Sequence, residues 1–178
     1  MNKIIIPYRK REKHLKYFIE NTVPLLKKYM TFLLVIVEQI EGKPFNRGKL
    51  LNIGYDLFKD TGENFFTHDV DINPYEETIQ KIYTKDVSDN EIMGIYNSKH
   101  QTLGGIIKFK KEVFKKINGF PNNYWGWGVE DKSLQNRAEF YKTNITKNIT
   151  TDDPSRNEYF LRFDDVNDRV RVDEHKKW

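Results

Sequence analysis

The chain has 178 residues, 38% hydrophobic, 31% charged and 14% aromatic, enough for one folded core and too few for two ordinary domains. Its 12 Phe, 10 Tyr and 3 Trp argue against disorder, and the lack of any cysteine excludes a disulfide scaffold, a cysteine nucleophile and a thiolate zinc site. The 30 Lys and Arg exceed the 26 acids by only four, a mild balance that suits a solvated surface better than a nucleic-acid binder.

Lys3–Pro7 reads as a buried strand, three isoleucines stopped by a proline, and is too short for a signal-peptide core. No run approaches the ~20 apolar residues of a membrane helix. The expectation is therefore a cytoplasmic or otherwise soluble protein, with neither signal peptide nor anchor in this chain. A helix is expected from Glu12, with Leu15, Phe18 and Ile19 on one face and Pro24 breaking or restarting it. Thr31–Glu38, apolar through its middle, reads as a strand covered on both faces. Arg47–Lys59 has helical spacing at Leu50, Leu51, Gly54, Leu57 and Phe58. Asn64–Thr67 reads as a strand running straight into His68-Asp69-Val70-Asp71. A helix at Glu76–Ile82 and strands at Glu91–Tyr96 and Gly104–Phe109 follow. Lys110–Ile117 is a helix ended by Asn118-Gly119 as a left-handed cap. Phe120–Gly128 is a loop by its Gly, Pro and Asn content. Glu130–Tyr141 is a helix with Leu134, Ala138 and Tyr141 on one side, and residues 143–178 give no patterned elements. Alternating strands and helices without a boundary or repeat predict a single α/β domain over residues 1–178.

Three constellations could carry chemistry. In Asp69-Val70-Asp71 an extended backbone would put both carboxylates on one side just after a strand, where hard oxygen ligands suit Mg²⁺ or Mn²⁺ on a nucleotide diphosphate. A solvated turn has the same pattern. Arg9, Arg11 and Arg47 each follow a strand and could grip phosphate oxygens, with Phe45 stacking on a base. Surface charge with Phe45 as a core plug is the plainer reading of the same residues. In Gly119–Asp131, Trp125 and Trp127 are costly to expose and could form a platform for a sugar ring. Glu130 and Asp131, in a first helical turn, would be held ionised and able to act as a base. The alternative is an aromatic core plug before an ordinary acidic helix start.

Taken in order, these segments resemble the β-1,4-galactosyltransferase family, glycosyltransferase family 7. The likeness is carried by Ile4–Leu15, Phe45–Gly54, Asp69–Asp71 and Ile117–Asp131, and spans residues 3–137. It implies a GT-A fold, with a mixed, mostly parallel central sheet flanked by helices. It also implies an inverting transfer of a hexose from a UDP-sugar to a hydroxyl of a saccharide or glycoconjugate acceptor, dependent on Mn²⁺ or another divalent cation. Carried over by motif, Pro7, Arg9, Arg11, Phe45, Arg47, Asp69, Val70 and Gly105 would lie at the donor. Asp71 would be a metal ligand, Trp127 would lie over the donor and acceptor sugars, Asp131 would be the general base, and Glu130 would contact both substrates.

The sequence departs from the family pattern in four places. Lys132 stands where the family has a second acid after the base, and Val129 replaces the second glycine of its WGGED motif. Thr102 and Leu103 precede Gly104-Gly105 where the family has aromatic residues. The downstream Met-x-x-His metal segment is missing, with Asp152 or Asp153 in that region as a substitute oxygen ligand. The resemblance therefore fixes neither the acceptor nor the choice between galactose and N-acetylgalactosamine. A catalytically silent nucleotide-sugar or carbohydrate-binding module on the same fold is the rival reading.

Overall fold

A computed structural model of the chain describes residues 1–97, 102–150 and 159–162. Six strands form one sheet in the order β2-β1-β3-β6-β5-β7. They are β1 Asn2–Tyr8, β2 Phe32–Glu38, β3 Asn64–His68, β5 Glu91–Asn97, β6 Leu103–Lys110 and β7 Asn144–Thr150. A short strand, β4 Ile72–Pro74, pairs with β8 Phe160–Arg162 in a second, two-stranded sheet. β1 runs parallel to β2 and β3, and β5 parallel to β7, while β6 is antiparallel to both its neighbours.

The sheet is covered on both faces. Ile4 and Ile6 point to one cluster, with Phe18, Leu26, Phe66, Ile72 and Tyr83. Ile5 points to the other, with Leu51, Tyr55, Phe65, Phe109, Phe114 and Leu134. Alternation along β1 thus puts successive isoleucines into opposite halves of the core, the pattern of a strand buried on both sides. The helices are α1 Glu12–Tyr17, α2 Val23–Tyr29, α3 Arg47–Phe58, α4 Glu76–Thr78, α5 Lys111–Lys116 and α6 Glu130–Phe140.

Pro24 restarts the helical run rather than ending it. A five-residue π-helical turn, Phe18–Thr22, joins α1 to α2, and Pro24 sits in the first turn of α2. The widened turn accommodates both the missing N–H and the ring that would meet the carbonyl four residues back. A second π turn, Ile79–Tyr83, follows α4.

In α3 the buried stripe runs through Gly48, Leu51 and Tyr55. A Cβ on Gly54 would come within 2.4 Å of Ile5 Cγ2, so this glycine lets the helix lie directly on the sheet. Asn46 caps α3, its Oδ1 accepting the Lys49 N–H at 2.9 Å. The left-handed cap after α5 is present, with Asn118 at φ 57 and Gly119 at φ 53.

Several expectations are corrected. β2 is an edge strand, so Leu33 and Ile36 are exposed rather than covered. Ile19, Leu57 and Tyr141 also point to solvent, because each flanks its helix's buried stripe instead of lying in it. β4, β7 and β8 were not legible as strands. Among the described residues no helix is long and apolar enough to cross a membrane.

Candidate active site

The carboxyl ends of the parallel strands β1, β2 and β3 and the amino end of β6 meet at one edge of the sheet, where open α/β sheets hold their ligands. Asp69-Val70-Asp71 leaves β3 there. It is a turn, not the extended segment expected: the Ile72 N–H donates to the Asp69 carbonyl at 3.3 Å. The Val70 side chain is buried in the core. Its contribution to a ligand could therefore come only from its backbone, while Asp69 and Asp71 flank it at the edge. The Asp69 N–H is anchored to the Gly105 carbonyl at 3.0 Å. Gly105 has φ +69, and a Cβ there would lie 2.6 Å from the Tyr96 ring.

Arg47, in the first turn of α3, is the centre of the arrangement. Its Nε donates to Asp69 Oδ1 at 2.7 Å and its Nη1 to Asp131 Oδ1 at 2.9 Å, with Glu130 Oε1 4.0 Å from Nη1. Only 11% of the Arg47 side chain is exposed. Burial works against its charge, but Asp69, Asp131 and Glu130 together outweigh that and hold the guanidinium protonated. Arg47 also lies over the Phe120 ring.

Burial pushes the Asp131 carboxyl up to about 8. Arg47 opposes this, and the nearby charges of Glu130 and Asp69 add to it. Burial and the two neighbouring acids thus act against the ionised Asp131 expected from its place in a first helical turn, while Arg47 acts for it. Gly104 packs directly on this carboxylate: a Cβ there would lie 2.4 Å from Asp131 Oδ2. Glu130 is buried. Val129, just before it, holds φ +68, a left-handed conformation costly for a β-branched residue.

Arg9 packs on the residue two before Arg47. Arg9 Nη1 donates to the Lys43 carbonyl at 2.6 Å, and its guanidinium lies 5.4 Å from the Phe45 ring centroid. Arg9 and Phe45 therefore meet as expected. Pro7 is buried near the end of β1, opposite Val37. Arg11 caps α1 with its backbone, its carbonyl accepting the Leu15 N–H at 2.9 Å. Trp127 is 45% exposed. The Trp125 ring has the ammonium groups of Lys43 and Lys49 at 4.9 and 5.7 Å from its centroid.

The loop that carries both tryptophans is fastened to α3. Asn52 Nδ2 donates to the Phe120 carbonyl at 2.8 Å, and its Oδ1 accepts the Phe120 N–H at 2.9 Å. Asn46 Nδ2 donates to the Asn122 carbonyl, and the Gly126 N–H donates to the Phe45 carbonyl. Sequence reasoning assigned no role to Asn52 or Gly104, and none to Asn46 within the Phe45-Asn46-Arg47 segment. Only Asn46 carried a local signal, its place as a helix cap. Asp152 and Asp153 lie outside the described residues. A groove of about 710 Å³ lined by Ile53, Leu57, Lys111 and Lys115 includes none of the acids above.

Residues 2–84 match the model of the N-terminal region of glycosyl transferase group 7, and residues 89–154 match that of the N-terminal domain of galactosyltransferase. The chain belongs to glycosyltransferase family 7. It is 38% identical to human β-1,4-galactosyltransferase 4 over 153 residues, covering 81% of this chain and 44% of that protein. Bovine β-1,4-galactosyltransferase 1 is 35% identical over 151 residues, 81% of this chain and 38% of its own length. This family 7 chain thus spans less than half the length of these two relatives. The catalytic domain of Drosophila β-1,4-galactosyltransferase 7 in complex with xylobiose superposes with a TM-score of 0.81 at 25% identity, covering 96% of this chain and 74% of that one. A mutant of the same Drosophila protein in complex with manganese, UDP-Gal and xylobiose gives 0.79, also at 25% identity, covering 92% of this chain and 71% of that one. The fold is of the GT-A type.

Proposed function

We propose that the chain transfers a hexose, galactose or N-acetylgalactosamine, from a UDP-sugar to a hydroxyl of a saccharide or glycoconjugate acceptor, with a divalent cation such as Mn²⁺ and with inversion. One observation carries the reading: a single guanidinium, Arg47, ties the acid of the β3 turn to the acid that opens α6. The candidate donor and acceptor sides therefore share one centre. The manganese, UDP-Gal and xylobiose bound by the Drosophila relative support the same chemistry.

The residues present fit a nucleotide-bound cation. Among the described residues no three His, Cys, Asp or Glu side chains are grouped to hold a metal. A hard ion such as Mg²⁺ commonly takes only one or two carboxylates and completes its shell with phosphate oxygens and water. Asp71 would be such a ligand, and the bound cation would neutralise charge on the departing diphosphate. Arg9 and Phe45 would hold the nucleotide. Arg47 would orient Asp69 and Asp131, and its charge would favour the anionic donor.

Asp131 would take the proton from the acceptor hydroxyl as the new glycosidic bond forms and the bond to the diphosphate breaks. A carboxylate whose titration burial raises is a stronger base than an ordinary aspartate. Trp127 would cover the apolar face of a bound sugar.

The test is UDP release across a panel of UDP-sugars and acceptor sugars, with and without Mn²⁺. Acceptor-dependent, metal-dependent UDP release supports the reading. UDP-sugar binding with no release for any acceptor would favour a silent binding module.

A further inference from the structure

We infer that His68 is a positioning residue: its imidazole, fixed in one tautomer by Tyr83, braces the turn that presents Asp69 and Asp71. The inference rests on the donor-site reading above. His68 is wholly buried, so no substrate reaches it and it acts only through its neighbours. Its Nδ1 lies 2.9 Å from the Asp69 carbonyl, and its Nε2 lies 2.9 Å from the Tyr83 hydroxyl. A carbonyl oxygen can only accept, so Nδ1 carries the proton. In a neutral imidazole Nε2 then has a lone pair, and it accepts the Tyr83 O–H.

The Asp69 carbonyl thus receives two donors, the His68 ring and the Ile72 N–H that closes the turn. That fixes the plane of the 69–70 peptide. Rotating this peptide would swing Asp69 off Arg47 Nε, where it sits at 2.7 Å, and redirect Asp71 two residues on.

Both unusual turns of the fold converge on this ring. Phe18, which opens the first π turn, packs edge-on against His68 at 5.0 Å between ring centroids. Tyr83 is the last residue of the second π turn. Lys108, itself buried, donates to the Tyr83 carbonyl at 3.1 Å and to the Lys85 carbonyl at 2.5 Å, holding the end of that turn. A π turn shifts the residues after it off the ordinary helical register, and such turns concentrate at functional sites. Here two of them bring a packing partner and a hydrogen-bond partner to one imidazole that no ligand can touch.

The experiment uses the full chain. Long-range ¹H–¹⁵N spectra without metal or nucleotide, with His68 assigned by the signal lost in His68→Gln, should show the Nδ1-protonated tautomer. Tyr83→Phe, which keeps the ring and removes only the hydroxyl, should move the bare Nε2 resonance. It should also weaken UDP binding in Mn²⁺ by about threefold to tenfold, the scale of one neutral hydrogen bond, measured well below the variant's melting temperature. An Nε2-protonated His68 in the unmodified chain would overturn the inference. So would Tyr83→Phe binding UDP as tightly as the unmodified chain. If the unmodified chain binds no UDP, the donor-site reading fails, and the tautomer alone decides: Nδ1–H sustains the brace and Nε2–H ends it.

Discussion

Arg47 and Asp131 lie 84 residues apart in the chain and meet in a 2.9 Å hydrogen bond, while the other edge of the same guanidinium holds Asp69 at 2.7 Å. One cation thus serves three acids, since Glu130 is 4.0 Å away as well. Removing it would leave those carboxylates crowded in a site of low exposure, where loss of one partner of a buried pair costs about 3–5 kcal/mol.

Arg47→Ala should therefore lower both stability and turnover. Arg47→Lys should keep the fold but still lose at least about tenfold in turnover, because one ammonium cannot offer the two separate edges that Asp69 and Asp131 occupy. Thermal melting and UDP release on the two variants separate these effects. Lysine restoring full turnover would show that charge alone matters at this position.

Asp71→Asn should abolish Mn²⁺-dependent UDP binding and leave the melting temperature close to that of the unmodified chain, because Asp71 lies in a turn at the sheet edge. Asp69→Asn should act differently, weakening the Arg47 contact and so lowering turnover more than UDP affinity. Calorimetry with and without Mn²⁺ distinguishes them. Unchanged, metal-dependent UDP affinity in Asp71→Asn would remove Asp71 from the metal site.

Gly104→Ala is the sharpest probe of the proposed role of Asp131. The added methyl would sit 2.4 Å from Asp131 Oδ2, so the carboxylate must move. Turnover should fall by roughly tenfold or more, since small misplacements of a catalytic group are costly, with UDP binding in Mn²⁺ preserved. A fully active Gly104→Ala would mean that Asp131 need not stay where this glycine lets it lie.

What the sequence made legible follows from how local each feature is. β1 and α3 announce themselves by apolar periodicity, and the Asn118-Gly119 cap by its residue types. Asp69, Arg47 and Asp131 belong to three separate segments of the sequence, and nothing in any one of them states that they meet at one guanidinium. Other features needed the tertiary structure. The Asp69–Ile72 turn depends on a carbonyl shared between His68 and Ile72, and nothing in four residues of sequence states that sharing. β7 has only two isoleucines, Ile145 and Ile149, with Lys147 between them on the same face, so its strand character comes from pairing with β5 rather than from a hydrophobic run. The raised titration of Asp131 is likewise a product of burial against Glu130, Asp69 and Gly104.

The pH behaviour of Asp131 gives the last prediction. A base works in its deprotonated form, so kcat/KM should rise with pH along a limb displaced from the ordinary carboxylate range toward about 8. Asp131→Asn, nearly isosteric and uncharged, should cut turnover by roughly 10²-fold or more, and its residual activity should lack that limb. UDP and Mn²⁺ binding should survive, because Asp71, Arg9 and Phe45 lie outside this hydrogen bond. Stability carries the same signature. A carboxyl whose folded titration is raised stabilises the fold fully below its ordinary value near 4, and that contribution is lost as pH rises through about 8. The unmodified chain should thus lose stability relative to Asp131→Asn over that interval. Paired melts at about pH 5 and pH 8.5 measure it. A difference between the two proteins that does not change with pH would place the titration elsewhere, and near-normal turnover in Asp131→Asn with an inactive Glu130→Gln would move the base to Glu130.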